Sequence, residues 1–293
     1  MSAVSVPAPA GADAAPRPSG VRPTRGATAA RFVAVLLLAA VWVFPLYWMA
    51  VTAVSPADAV REGRVPLVPT SPTLDGVRTA FTEYSVGPWI LSSFAIATVA
   101  VALSVVLSLL AGYVLAKQEF PGKALVSLFV VATLMIPAEV VLIPQFDLIA
   151  RIGWVNSFWA VIVPRAAEAF GVFLTRQFLL TLPDEMLEAA RLDGAGELRI
   201  LWSVVLPLCR PLIAVLVVVT FMYRWNEFAL PLVVLRDPDL YTLPVGLAFL
   251  QGQYATDYPA LMSGALLSSL PVLLLFVLAQ RSFVSGLART GLK

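Results

Sequence analysis

An all-helical protein crossing a membrane six times is the fold class this sequence predicts, and three observations carry it. Hydrophobic residues fill 59% of the 293 positions, and mean hydropathy is +0.87, well above the composition of water-soluble chains. Apolar runs long enough to span a bilayer recur along the chain between short polar segments. With the N-terminus inside, all three lysines and ten of the arginines fall on the inner side, the bias that orients membrane spans.

The same composition bounds function. A net charge of +2 is too small to suggest nucleic acid as a partner. Absence of histidine removes imidazole catalysis and the commonest metal ligand. The single cysteine, Cys209, leaves no internal disulfide and no multi-cysteine metal site. Between Pro207 and Pro211 it reads as a small apolar filler.

Residues 1–30 are rich in Pro, Ala, Gly and Ser and lack the apolar content to fold, which predicts a disordered cytoplasmic tail ahead of a transmembrane domain over 31–293. The first span, 32–54, lies too far in and runs too long for a cleaved signal peptide. Arg17, Arg22, Arg25 and Arg31 before it keep the N-terminus inside. Ser55–Gly87 reads as an outer loop and 88–116 as the second span. Along that span Ala100, Ser104, Ser108, Gly112 and Ala116 recur every four residues, a stripe that lets helix backbones approach closely.

The basic turn 117–123 is internal, 124–148 is the third span, interrupted by Pro137 and Pro144, and 158–180 is the fourth. An inner loop over 181–205 leads to the fifth span, 206–235. Arg236–Pro259 reads as a long outer loop and 260–283 as the sixth span, where Ala260, Gly264 and Ser268 repeat the four-residue spacing. Both termini are then cytoplasmic. No convincing internal repeat supports an inverted-repeat secondary transporter.

The inner loop carries the densest charge in the second half of the chain. Thr181 followed by Asp184, with Pro183 in the first turn, predicts a helix start. Asp184, Glu188 and Arg191 fall on one charged face, with Met186, Ala189 and Ala190 opposite. Gly194 and Gly196 end the helix. Composition alone makes this an amphipathic connector at the membrane surface.

The order Glu188-Ala189-Ala190, then Gly194, then Val204 and Leu206-Pro207, resembles the EAA loop of ABC importer permeases. EAARLDGA followed by LPLCRP is most similar to the carbohydrate-uptake, maltose-type branch of the binding-protein-dependent transport permeases. MIPAEVVLIPQF, GVFLTRQFLLTLPDEM, WNEFALPL and TLPVGL look like segments of the same permease subunit, and the likeness runs from about Phe32 to Lys293.

The resemblance implies a type I ABC importer permease fold in a bacterial cytoplasmic membrane. Its short loop helix would seat in a cleft of an ATPase subunit, with Glu188, Ala189, Ala190, Asp193, Gly194 and Pro207 as the coupling residues. Also implied are an ABC ATPase dimer, a second permease subunit, an extracytoplasmic solute-binding protein and surrounding membrane lipid. The solute would be a sugar or oligosaccharide; glycerol phosphate, a polyol or another small solute is the alternative.

The chain holds no G-x-x-x-x-G-K-[ST] phosphate loop. It should therefore bind no cofactor itself and is not an enzyme, ATP being used by the partner ATPase.

Charged and strongly polar residues inside spans usually mark a pathway or a partner. Glu139, Glu168, Asn226 and Glu227 are the candidates for the translocation pathway. Arg165 and Glu168 share a face at i, i+3, so a local ion pair is the competing expectation. Glu139 or Glu227 as a proton site would instead suit an ion-coupled carrier. Tyr241, Gln251, Gln253, Tyr254 and Tyr258 of the outer loop make a natural surface for the solute-binding protein, or else an aromatic belt at headgroup level.

Overall fold

The computed structural model describes residues 25–65, 67–69, 71–251 and 256–290, and all regular elements among them are helices. Contacts divide the chain into Met1–Tyr47 and Trp48–Lys293. The first helix, α1 (Arg25–Ala53), begins earlier than expected. Residues 25–30, assigned to a disordered tail from sequence, continue the helix because the alanine-rich RGATAA favours it; 1–24 lie outside the described residues. Phe32 through Phe44 are exposed, Trp42 by 80%, which suits a helix whose neighbour is lipid.

In the second unit the expected outer loop, Ser55–Gly87, is partly folded. It holds α2 (Ala57–Arg61) and α3 (Asp75–Thr82). A Cβ at Gly76 would lie 2.7 Å from Pro259 Cβ, so α3 touches the start of the last helix through a position only glycine fits.

Helix α4 (Val86–Lys117) is the centre of the fold. All five members of its small-residue stripe are buried. They meet α8 (Ala169–Leu179) so closely that a Cβ on Gly112 would stand 2.5 Å from Thr175, and one on Gly171 2.2 Å from Ser108 Oγ. Between these, α5 (Lys123–Thr133), α6 (Leu142–Arg151) and α7 (Phe158–Ile162) follow in order.

Three expected spans differ from single helices. The third is two helices, α5 and α6, separated by turns over 134–141 around Pro137, where proline disfavours helical geometry in the residue before it. Pro144 causes no break, because it sits in the first turn of α6 where no N–H is needed. In the fourth, a 3₁₀ turn at Val163–Arg165 and an extended Glu168 (ψ 126°) interrupt the path from α7 to α8.

The fifth is the most altered. After α9 (Glu185–Leu192) and α10 (Glu197–Ile200), a π-helical turn over Leu201–Val205 runs into α11 (Leu206–Leu208). The chain then bends by 79° into α12 (Arg210–Trp225). Cys209 sits at the bend, fully buried, in the filler role its neighbours suggested. Asn226 ends α12, and α13 (Ala229–Val234) completes the segment. Among the described residues four helices are long and apolar enough to cross a membrane, five if the bent pair counts as one.

The expected outer loop Arg236–Pro259 is not simply solvated. It contains α14 (Leu243–Leu250), whose Leu243 and Val245 are wholly buried. Trp89 Nε1 donates to Pro238 O at 2.8 Å, Ser93 Oγ accepts from Leu243 N at 2.7 Å, and Asn156 Oδ1 accepts from the amides of Arg236 and Asp237. Gly246 lies against the Trp89 ring, 2.2 Å from where its Cβ would be. Gln253 and Tyr254 lie outside the described residues. The last helix, α15 (Tyr258–Thr290), buries Ala260 and Gly264 of the second stripe.

Candidate functional site

Helix α9 of the inner loop ends as its glycine predicts. Gly194 takes φ +80°, its amide donates to Arg191 O, and Ala195 N donates to Ala190 O, each at 3.0 Å. Those two bonds satisfy carbonyls that the helix end would otherwise leave open. Its start differs from expectation. Thr181 Oγ1 donates back to Phe178 O, and Asp184 occupies the cap position without capping. The inward face differs too. Leu187, 4% exposed, is the anchor, joined by half-buried Ala190, while Met186 and Ala189 are exposed. Leu187 packs in a cluster with Tyr113, Leu179, Ile200 and Leu201.

The outer face of α9 and its turn therefore presents Glu188, Ala189, Asp193 and Gly194 together, with Leu192 88% exposed. Ala190 lies inward of them. Pro207 stands apart, exposed in α11 just before the bend. The charges expected on one face have separate fates. Asp184 and Arg191 are bound within the chain, whereas among the described residues Glu188 forms no ion pair.

The end of α4 holds this loop, a connection the sequence reading missed. Lys117 Nζ, nearly buried, donates to Leu182 O at 2.7 Å and to Asp184 Oδ1 at 2.6 Å. Glu197, the first residue of α10, accepts from Tyr113 Oη and Gln118 Nε2 at 2.6 Å on Oε2, and from Arg191 Nε at 2.8 Å on Oε1. The Lys117 bond holds the Asp184 carboxyl below its usual range. Glu197 is held down first by Arg191 and then by Tyr113, and the same bond pushes the Arg191 guanidinium up. A signal was present: Tyr113 and Lys117 lie one turn apart at the polar end of an otherwise apolar span.

Inside the membrane segment, the i, i+3 pair expected between Arg165 and Glu168 does not form, because the chain leaves helical geometry between them. Each instead reaches the end of α12. Arg165 Nε donates to Glu227 Oε1 at 3.1 Å, while Arg224 bridges Glu227 and Glu168. Two arginines and two carboxylates thus neutralise one another at the level where both helical paths break. Arg224 is 8% exposed. Such a cluster is tolerable in hydrocarbon because every charge has a partner. Asn226 is exposed, its amide donating to Met222 O, and Glu139 is exposed in the turns between α5 and α6. Of the four pathway candidates the structure joins Glu168 and Glu227 in one network and leaves Glu139 and Asn226 outside it.

A bundle of apolar helices, several broken within the membrane segment, with a short connector helix displayed at one end, defines a multi-pass membrane protein. Residues 104–288 match the family described as binding-protein-dependent transport system inner membrane component, and the chain belongs to that family. It is a transport component, not an ATPase.

The chain is 37% identical over 259 residues to the arabinooligosaccharides transport system permease protein AraQ of Halalkalibacterium halodurans, covering 87% of this chain and 93% of that one. It is 35% identical over 252 residues to the sn-glycerol-3-phosphate transport system permease protein UgpE of Pectobacterium atrosepticum, covering 83% and 90%. The fold is similar to a chain of a bacterial ABC transporter involved in the import of the acidic polysaccharide alginate. There the TM-score is 0.78 at 22% identity, over 90% of this chain and 99% of that chain.

Proposed function

We propose that this chain is a permease subunit of an ATP-driven importer that moves a sugar or oligosaccharide across a bacterial cytoplasmic membrane, both of its termini facing the cytoplasm. The observation that carries the reading is the exposed face of α9, with Glu188, Ala189, Asp193, Gly194 and Leu192 left uncovered by the other described residues. A cleft on an ATPase subunit would receive it. ATP is bound and hydrolysed there, not here. Closure of the ATPase dimer moves α9, and the spans, paired with those of a second permease subunit, reopen toward a solute-binding protein. The neutral charge cluster supports an uncharged solute over glycerol phosphate, because Arg165 and Arg224 are both committed to carboxylates and not displayed for an anion.

The test is on the loop. Glu188→Lys reverses a charge at the interface, where a desolvated contact matters most. Gly194→Val strains a φ of +80°, by about 1–2 kcal/mol. No atom lies within 4 Å of a Cβ there, so the cost is that strain plus protrusion toward the partner. Both variants are expected to insert but to lose ATPase association or to uncouple hydrolysis from uptake in proteoliposomes. Normal coupling in both would reduce the loop to a connector. For the pathway, Asn226→Ala is expected to lower uptake with assembly intact; loss of assembly would make Asn226 a structural residue.

A further inference from the structure

We infer that Glu197 is a positioning residue that ties the connector helix α9 to the central helix α4, so that the displacement of one is delivered to the other. The inference rests on the permease reading and adds the route by which the loop's movement enters the bundle. Glu197 lies 84 residues from Tyr113 and 79 from Gln118 in sequence, yet binds both through one oxygen while the other takes Arg191 from the last turn of α9. Lys117 of the same α4 turn grips the opposite end of α9 through Leu182 O and Asp184. The helix is thus held at both ends from Tyr113 and Lys117 of α4, and between those ties Leu187 joins the buried cluster that includes Tyr113 and Ala116.

α4 in turn packs along α8 through Gly112 and Gly171, and on α12. A push on the exposed face of α9 is therefore passed to α4 through these ties, in addition to the backbone that joins α9 to the two broken spans. Glu197 is the element of this path whose loss releases one end of α9 from α4 without emptying the core. Its side chain is 47% exposed and contributes hydrogen bonds and charge, not packing.

The experiment uses the full importer in proteoliposomes and reads solute transported per ATP hydrolysed. Glu197→Ala is expected to lower that ratio by about fivefold or more, the low end of typical coupling between sites. Glu197→Gln keeps an acceptor for Tyr113 and Gln118 and should recover part of it. Tyr113→Phe removes one hydroxyl and should lower the ratio as well. Combined with Glu197→Ala it should add nothing, since both delete the same contact.

An unchanged ratio in Glu197→Ala, with only a lower unfolding temperature, would make Glu197 a structural staple and overturn the inference. If Glu197→Ala does not assemble, Tyr113→Phe decides alone, and an unaltered ratio there overturns the inference. Failure of the permease reading looks different: the wild-type complex itself would show no ATP-dependent uptake.

Discussion

Gly112→Ala is the sharpest test of how α4 and α8 are joined. The added methyl would stand 2.5 Å from both Cβ and Cγ2 of Thr175 and 3.1 Å from Arg176 N. Carbon atoms pack at about 3.5–4.0 Å, so the helices must separate by about 1 Å or more. Thr175 cannot yield, being wholly buried and β-branched, with its Cβ fixed by the backbone. Alanine gains about 1 kcal/mol of helix propensity over glycine. Overpacking costs about 1–3 kcal/mol, with the upper end appropriate where every facing atom is rigid. The net loss is then about 2 kcal/mol.

Gly171→Ala should cost less, because its nearest atom is the rotatable Ser108 Oγ. In the Gly112→Ala background, Thr175→Gly should restore stability and Thr175→Ala should not, since Thr175 Cβ is itself one of the clashing atoms. Reversible unfolding in mixed micelles measures all four. Gly112→Ala as stable as wild type would refute the close approach.

Two further outcomes follow from the charges. Arg224→Met should cost about 3 kcal/mol or more in the same assay, the usual loss when one partner of a buried pair is removed. Arg165→Met should cost less, because Glu227 then keeps Arg224, whereas Arg224→Met leaves Glu168 without a cation in the network; equal losses would refute that arrangement. Glu197 and Asp184 have carboxyls held below the ordinary range. The stability they add is complete above the unfolded carboxyl values of about 4 and is lost as pH falls through the lower folded ones. Arg191, which faces Glu197, stays protonated throughout. Amide exchange corrected for intrinsic rates should therefore accelerate in α9 and α10 before α4 as acid is added, and uniform acceleration would count against the ties.

What the sequence made legible is whatever depends on local spacing. The α4 stripe, the loop helix and its termination at Gly194 could all be read, because each follows from residues a few positions apart. The helix breaks were less legible. Apolar content over 124–148 and 206–235 is the same whether the chain is straight or bent, and hydropathy does not register the 79° turn at Cys209. Arg165 illustrates the second limit. Its nearest carboxylate in sequence, Glu168, was the natural partner, but 62 residues separate it from Glu227, which it binds. Glu197 was passed over for the same reason, with Tyr113 84 and Gln118 79 residues away. Leu187 rather than Met186 faces inward because the position of the core, not the helical wheel alone, chooses the buried side.

The segment after α13 has a consequence for whatever meets that end of the molecule. Trp89, Ser93 and Asn156 anchor its backbone before any partner arrives, and α14 within it is seated by buried Leu243 and Val245. Association with a freely moving loop forfeits about 0.5–1.5 kcal/mol for each side chain that must be immobilised, besides the backbone. Here most of that ordering belongs to folding. A protein docking on 236–250 would find a preformed platform, so its contacts would appear more fully in affinity, and loosening Asn156 would weaken the encounter without removing a single atom from the interface.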